Sequence, residues 1–181
     1  MNATDKIADS FSDAEARIAR TRRRLPKFSV QHTTLARLSR HINKLSQERA
    51  NLALRPFALN MVSYNTLMML YGTEGHRLSP SQLADASGEK RTNITRICDE
   101  LCAKGLVERV AGVDDRRSVV VSLSSSGLAL IEQLQPVMTQ LLGDLYGDFT
   151  IAELQELQRL LRKQVARLDR SLRAASSEPA T

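Results

Sequence analysis

The sequence predicts a mostly helical protein with a small β-wing: a winged helix-turn-helix between long N- and C-terminal helices suited to dimerisation. Residues 78–127 read as a short capped helix, a turn, a longer amphipathic helix and two strand-like runs around a charged tip. On both sides, long stretches repeat apolar residues at helical spacing. Hydrophobic residues make up 42% of the chain but aromatics only 4%, with no Trp, so the core must be aliphatic. A length of 181 residues suits one sizeable domain, or a domain with a dimerisation extension. The expected division is an extension over 1–27, a dimerisation helix over 28–58, a winged lobe over 59–124, C-terminal dimerisation helices over 125–173 and a loose tail over 174–181.

Residues 1–10 are small and polar, the composition of a disordered end. Ser12-Asp13-Ala14-Glu15 reads as a capping box opening a helix to Arg24, which Pro26 blocks. Six basic residues lie between Arg17 and Lys27 with no acid among them. They suit phosphate contact, a solvated face or a partner helix. A long helix from Val30 to Leu54 follows, with Leu35, Leu38, Ile42, Leu45 and Leu52 on its apolar side, and Pro56 ends it. Asn60 caps a helix reaching Tyr71 that carries Val62, Tyr64, Leu67, Met68 and Leu70. Leu78 is placed to add a short strand.

Ser79 is an N-cap, Pro80 suits the first helical position, and Gln82 completes a capping box. Gly88 tolerates the left-handed geometry of a tight turn. From about Lys90 to Lys104, Ile94, Ile97, Cys98, Leu101 and Cys102 form one stripe at helical period. Arg91, Thr92, Asn93, Thr95 and Arg96 cluster at the start, mostly off that stripe. An exposed first turn of Arg, Thr and Asn is what a recognition helix offers to base edges. Arg bonds guanine at two points, Asn does so to adenine, and Thr meets the thymine methyl. The same cluster reads equally as an ordinary solvated face.

Residues 106–110 and 118–123 read as paired strands, with Ala111 through Arg117 between them as the tip. Arginines on such a tip fit a narrow A·T-rich minor groove. Alternatively, Asp115 pairs with an arginine to stiffen the hairpin, and both can hold. Taken together, the run from Leu83 to Gly127 resembles the MarR family of dimeric regulators. The resemblance rests on Asp115-Arg116-Arg117, Lys104-Gly105-Leu106-Val107 and the closing Leu123-Ser124-x-x-Gly127. The stretch Arg91-Thr92-Asn93-x-Thr95-Arg96-Ile97-x-Asp99-Glu100-Leu101 looks like the branch that represses multidrug efflux pumps. The resemblance extends over most of residues 30–173. It implies that Thr92, Asn93 and Arg96 face the major groove and that Arg117 enters the minor groove, steadied by Asp115. Ser124 departs from the family's usual Thr at a helix cap. The lack of Trp speaks against the urate-responsive branch, although a helix ahead of the usual core is a trait seen there too.

A long helix from Ser125 to about Leu145 carries Leu128, Ile131, Leu134, Val137, Met138, Leu141 and Leu142, and Pro136 should kink or split it. Thr150-Ile151-Ala152-Glu153 is another capping box. It opens a last helix with Leu154, Leu157, Leu160, Leu161, Val165, Leu168 and Leu172 on one side and a row of Arg and Lys on the other. These helices carry more apolar face than a small winged lobe can cover, and a bare stripe must find a partner. A two-fold homodimer interlocking its first and last helices satisfies them. It also sets two recognition helices about one DNA turn apart, for a palindromic operator in double-stranded DNA.

The family resemblance further implies a small aromatic acid or phenolic effector bound between the dimerisation helices and the reading lobe. Arg37, Arg40, His41, Tyr64 and Met68 are the candidates. Arg would hold the anion, His would donate a hydrogen bond, and Tyr and Met would cover the ring. Each of them reads as readily as packing. Control of an efflux operon and control of aromatic catabolism both remain open.

Net charge is +6, which favours an anionic partner weakly. Between Arg77 and Arg117 eight basic residues face seven acids, so the reading lobe is nearly neutral and its case rests on placement. Cys98 and Cys102 lie four apart on the buried stripe, where they read as small apolar residues. A cysteine-based redox regulator is the alternative, and a winged module that binds protein rather than DNA is a third. No catalytic triad, phosphate-cradling glycine loop, cofactor motif or metal spacing occurs, and His32, His41 and His76 are scattered. A cytoplasmic, non-enzymatic protein with no cofactor and no membrane partner is therefore expected. On this reading Arg117→Ala weakens duplex binding chiefly at A·T-rich flanks. Titration of A·T-rich and G·C-rich flanked duplexes checks this, and equal affinities would remove the minor-groove role.

Overall fold

A computed structural model describes residues 10–111 and 119–177 of the chain. Its helices are α1 (Ser12–Arg24), α2 (Val30–Leu54), α3 (Met61–Tyr71), α4 (Pro80–Ser87), α5 (Arg91–Ala103), α6 (Ser125–Tyr146) and α7 (Ile151–Ser177). Three strands, β1 (Arg77–Leu78), β2 (Val107–Ala111) and β3 (Val119–Leu123), form an antiparallel sheet in the order β1-β3-β2. Val107 lies opposite Leu123 and Ala111 opposite Val119. The chain divides into two compact units, one ending at Val137 and the other beginning at Met138.

Local chemistry sets most of the boundaries. Ser79 Oγ accepts from the Gln82 amide at 3.2 Å while the Gln82 side chain accepts from the Ser79 amide at 2.8 Å, a closed capping box. Asn60 Oδ1 accepts from the Ser63 amide at 2.9 Å to open α3. Thr150 and Glu153 bond reciprocally at the start of α7. This lowers the Glu153 carboxyl pKa, chiefly through the Thr150 backbone amide.

Three expectations are corrected. Phe11, not Ser12, holds the N-cap position of α1. Phe11 is buried and its ring lies 5.6 Å from that of His41, so packing rather than a side-chain cap fixes the start. Pro136 does not split α6, which runs continuously through it. Pro136 and Glu132, whose carbonyl loses its partner, are both exposed, so water can take the freed bond. The last helix reaches Ser177 rather than Arg173, because two alanines follow Arg173 and no breaker intervenes before Pro179. The expected disorder of residues 1–9 and 178–181 lies outside the described residues.

The core of the first unit gathers Leu54 of α2, Leu67 and Leu70 of α3, Leu83 of α4, Ile94, Ile97 and Leu101 of α5, and Val121 of β3, all essentially without exposure. On α3 the buried side is Ser63, Thr66, Leu67 and Leu70, while Val62, Tyr64 and Met68 stay half-buried. The hydroxyl of Thr66 donates to the Val62 carbonyl at 2.9 Å, so its burial leaves no polar group unpaired.

The turn from β3 into α6 is fixed by a close backbone approach. Ser124 Oγ donates to the Gly105 carbonyl at 2.6 Å and accepts from the Gly127 amide at 3.0 Å. A Cβ on Gly127 would stand 2.1 Å from the Leu106 carbonyl oxygen. Only glycine fits there, which accounts physically for the Leu123-Ser124-x-x-Gly127 spacing. Gly127→Ala is expected to destabilise the fold by about 1–3 kcal/mol, the range for forced overpacking. Chemical denaturation reads it, and an unchanged midpoint would show that the joint gives way freely.

Candidate nucleic-acid interface

Gly88, at φ 69°, ends α4 in the left-handed conformation, and its amide donates to the Ala84 carbonyl. Two residues later α5 begins with Lys90 extended at the cap. One side of α5 anchors it: Ile94, Ile97, Cys98 and Leu101 are at most 1% exposed. The opposite side presents Arg91, Thr92, Thr95 and Arg96 to solvent, with Asn93 half-buried between them. The side chains of Arg91 and Thr92 have no partner among the described residues, and Thr95 donates back to the Arg91 carbonyl at 3.0 Å.

Along this face runs a ladder that the sequence analysis did not single out. The Asn93 amide nitrogen donates to Glu89 at 2.7 Å. Its oxygen accepts from one Arg96 nitrogen at 2.9 Å, and the other Arg96 nitrogen pairs with Glu100. The orientation of the Asn93 amide is therefore fixed, and the Arg96 guanidinium is pre-aimed while remaining accessible at 58% exposure. An exposed pair of this kind adds about 0–1 kcal/mol, so a stronger acceptor can displace Glu100. The i, i+4 spacings of Glu89–Asn93 and Arg96–Glu100 were a legible signal for it.

Two contacts fix α5 to its surroundings. Arg109 of β2 pairs with Asp99 at 2.5 Å, and Lys104 donates to the carbonyl of Ala58. Ala58 is itself left-handed, at φ 52°. Asp115, Arg116 and Arg117 lie outside the described residues.

The five candidate effector residues do not line one cleft. Arg37, Arg40 and His41 line a cleft of about 640 Å³ between α1 and α2, which also holds Phe11, His32 and Lys44. Ser10 Oγ lies 2.7 Å from His41 Nε2 at its edge. Met68 lines a different cleft, between α2, α3 and the α4–α5 turn. Tyr64 lines neither, and burial raises its phenol pKa above the ordinary value.

Cys98 is fully buried, and burial, followed by the neighbouring Cys102, pushes its thiol pKa up. Both cysteines are free thiols. Among the described residues no cluster of His, Cys, Asp or Glu could hold a metal ion, and no helix is long and apolar enough to cross a membrane.

The sequence pattern of the MarR family matches residues 59–119. Over 160 residues the chain is 31% identical to the transcriptional repressor MprA of Escherichia coli K12, covering 88% of this chain and 91% of that protein. Its fold is similar to that of AbsC, a MarR family transcriptional regulator from Streptomyces coelicolor. That match has a TM-score of 0.70 and 24% identity over 78% of this chain and 97% of that one. It is also similar to a variant of MarR from Escherichia coli complexed with operator DNA, with a TM-score of 0.65 and 26% identity over 86% and 97% of the two chains. A likeness to MprA that spans nearly the whole of both chains shows that this protein belongs to the MarR family, whose members are transcriptional regulators and not enzymes.

Proposed function

We propose that the protein is a homodimeric repressor of an efflux or aromatic-catabolism operon. It binds a palindromic operator through α5 and leaves it when a small aromatic acid or phenolic compound binds. The observation that carries this reading is the exposed Arg91-Thr92-Asn93-x-Thr95-Arg96 face on a helix whose other side is locked into the core. Rigid seating on one side and accessible hydrogen-bonding groups, held only by weak surface contacts, on the other suit base readout. The named relatives, a repressor and a family member complexed with operator DNA, support it.

Support for the dimer comes from uncovered apolar side chains. On α2, Leu35, Ile42 and Leu52 are each about 60% exposed, and on α7 Val165, Leu168 and Leu172 are similarly bare. Two copies burying these rows against each other would remove them from water. The acid effector fits the α1–α2 cleft best, where Arg37, Arg40 and Lys44 supply positive charge and Phe11 an aromatic edge.

The cysteine-redox alternative is disfavoured by the burial of Cys98 and its raised thiol pKa, since the thiolate is the oxidisable form. Labelling of the folded protein with a thiol reagent at pH 8 should therefore modify half-buried Cys102 well before Cys98. Equal rates would restore the redox reading.

Mobility shift of the DNA upstream of the protein's own gene, against a random duplex at fixed salt, tests the repressor reading. Specific retention that salicylate reverses is the expected result. No preference for any genomic fragment over random duplex would leave a protein-binding winged module. Arg96→Ala is expected to cost about 1–3 kcal/mol on the operator and to relax base preference. Unchanged binding to both duplexes would show that Arg96 reads nothing.

A further inference from the structure

Five of the six basic residues between Arg17 and Lys27 are arginines, and the fold uses few of them. Arg22 donates to the Phe28 carbonyl at 3.3 Å. The side chains of Arg17, Arg20, Arg23 and Arg24 are exposed and have no partner among the described residues. Arg17, Arg20 and Arg24 stand at i, i+3 and i+7 on one side of α1, where with Thr21 and Leu25 they line a cleft of about 470 Å³. No carboxylate lines it. The Thr21 hydroxyl already donates to the Arg17 carbonyl at 2.9 Å, so the free donors there are guanidinium groups. Cations at a helix C-terminus offset its dipole, but that effect fades within the last turn. It accounts for Arg22, Arg23 and Arg24 and leaves Arg17 and Arg20 unexplained.

The row faces away from the reading lobe. α1 lies antiparallel to α2: Phe11 meets His41, while Arg22 reaches Phe28 just ahead of α2. The arginine end of α1 is therefore at the start of α2, whereas the turn into α5 borders α2 at Gln47 and Asn51. From Val30 to Gln47 the helix rises about 26 Å, too far for these arginines to reach a duplex seated on α5. Arginine in place of lysine suits the paired oxygens of a phosphate, and a duplex offers phosphates in an unbroken series. A lipid surface would need an apolar face beside the charge, but Ile18, the one large apolar residue within α1, is buried.

We infer that Arg17, Arg20 and Arg24 hold the sugar-phosphate backbone of a second duplex segment, without base preference, so that the protein joins two stretches of DNA. Phosphate contacts fix position and carry no sequence information, which leaves the choice of site to α5. A second segment of the same DNA molecule is favoured, because the first contact keeps it at high effective concentration. The joining rests on the proposed reading by α5, whereas backbone contact by the row does not.

Binding of a labelled random duplex to the full-length protein, read by fluorescence anisotropy over a salt series, tests the row. Arg91→Ala with Arg96→Ala removes the α5 contribution and serves as the background. In it, Arg17→Gln, Arg20→Gln and Arg24→Gln together should weaken binding at least tenfold at low salt. They should also lower the slope of log K against log salt by about 2–3, since each lost phosphate contact removes about 0.9. If the triple variant melts earlier than its parent, Arg20→Gln alone should lower the slope by about 0.9. Unchanged affinity and slope, or no duplex binding by the background protein, overturn the row. So does row-dependent binding that phosphatidylserine vesicles or polyglutamate displace as readily as duplex does. The joining is read from capture of a labelled random duplex by protein seated on a bead-bound copy of the genomic fragment it prefers. Wild type should capture it, and the triple variant should seat on the fragment without capturing it. Capture that survives the triple variant, or none by seated wild type, overturns the joining. A row that holds duplex in a protein with no preferred fragment stands, while the reading by α5 and the joining fall.

Discussion

The structure depends on seating α5 by one narrow stripe. Ile94, Ile97, Cys98 and Leu101 fall on the same side of a helix only 13 residues long, and they are closed over by α3, α4 and the sheet. Everything chemically useful on the other side inherits its position from that stripe. A shift of one turn along the seat would displace Asn93 and Arg96 by about 5 Å, more than the reach of a hydrogen bond. The rest of the first unit restrains such a shift. Gly88 sets the approach to the helix, Arg109 grips Asp99 from β2, and Lys104 closes on the carbonyl of Ala58.

Much of this was legible in the residues, and the reasons are local. Capping by Ser79, Asn60 and Thr150 needs only a short hydroxyl or amide at the right spacing, so those boundaries fall where the spacing puts them. The α5 stripe was equally plain because its apolar residues keep strict period. On α3 they do not: apolar residues surround the helix, and the buried side turns out to include Ser63 and Thr66, which bond within their own turn. Periodicity cannot find a face made partly of hydroxyls. Nor could it find the role of Phe11, which is buried with its ring against that of a residue thirty positions away. The joint at Gly127 was recognisable only as a pattern, since the carbonyl of Leu106 that excludes a side chain there is brought in by the fold.

The effector residues illustrate a further limit. Arg37, Arg40, His41, Tyr64 and Met68 lie on two successive helices, and the effector site implied by the family resemblance grouped them. The helix before them, α1, builds its own cleft against the first half of α2, while α3 and the α4–α5 turn build another against the second half. The residues are sorted by which neighbour covers them. The two clefts differ in electrostatic sign as a result, one lined by three cations and the other by a single carboxylate.

The ladder on α5 has a consequence for how such a protein would search a chromosome. Its arginine is already satisfied by its own Asn93 and Glu100, and the surrounding lobe is close to neutral. Any duplex must first displace those partners to reach the arginine, and a guanine edge in the right place supplies two acceptors at once in return. Discrimination between a few true sites and the vast excess of other sequence depends on the ratio of those affinities, not on the stronger one alone. A reader that begins self-paired gives up absolute affinity and spends less of its time held at the wrong address.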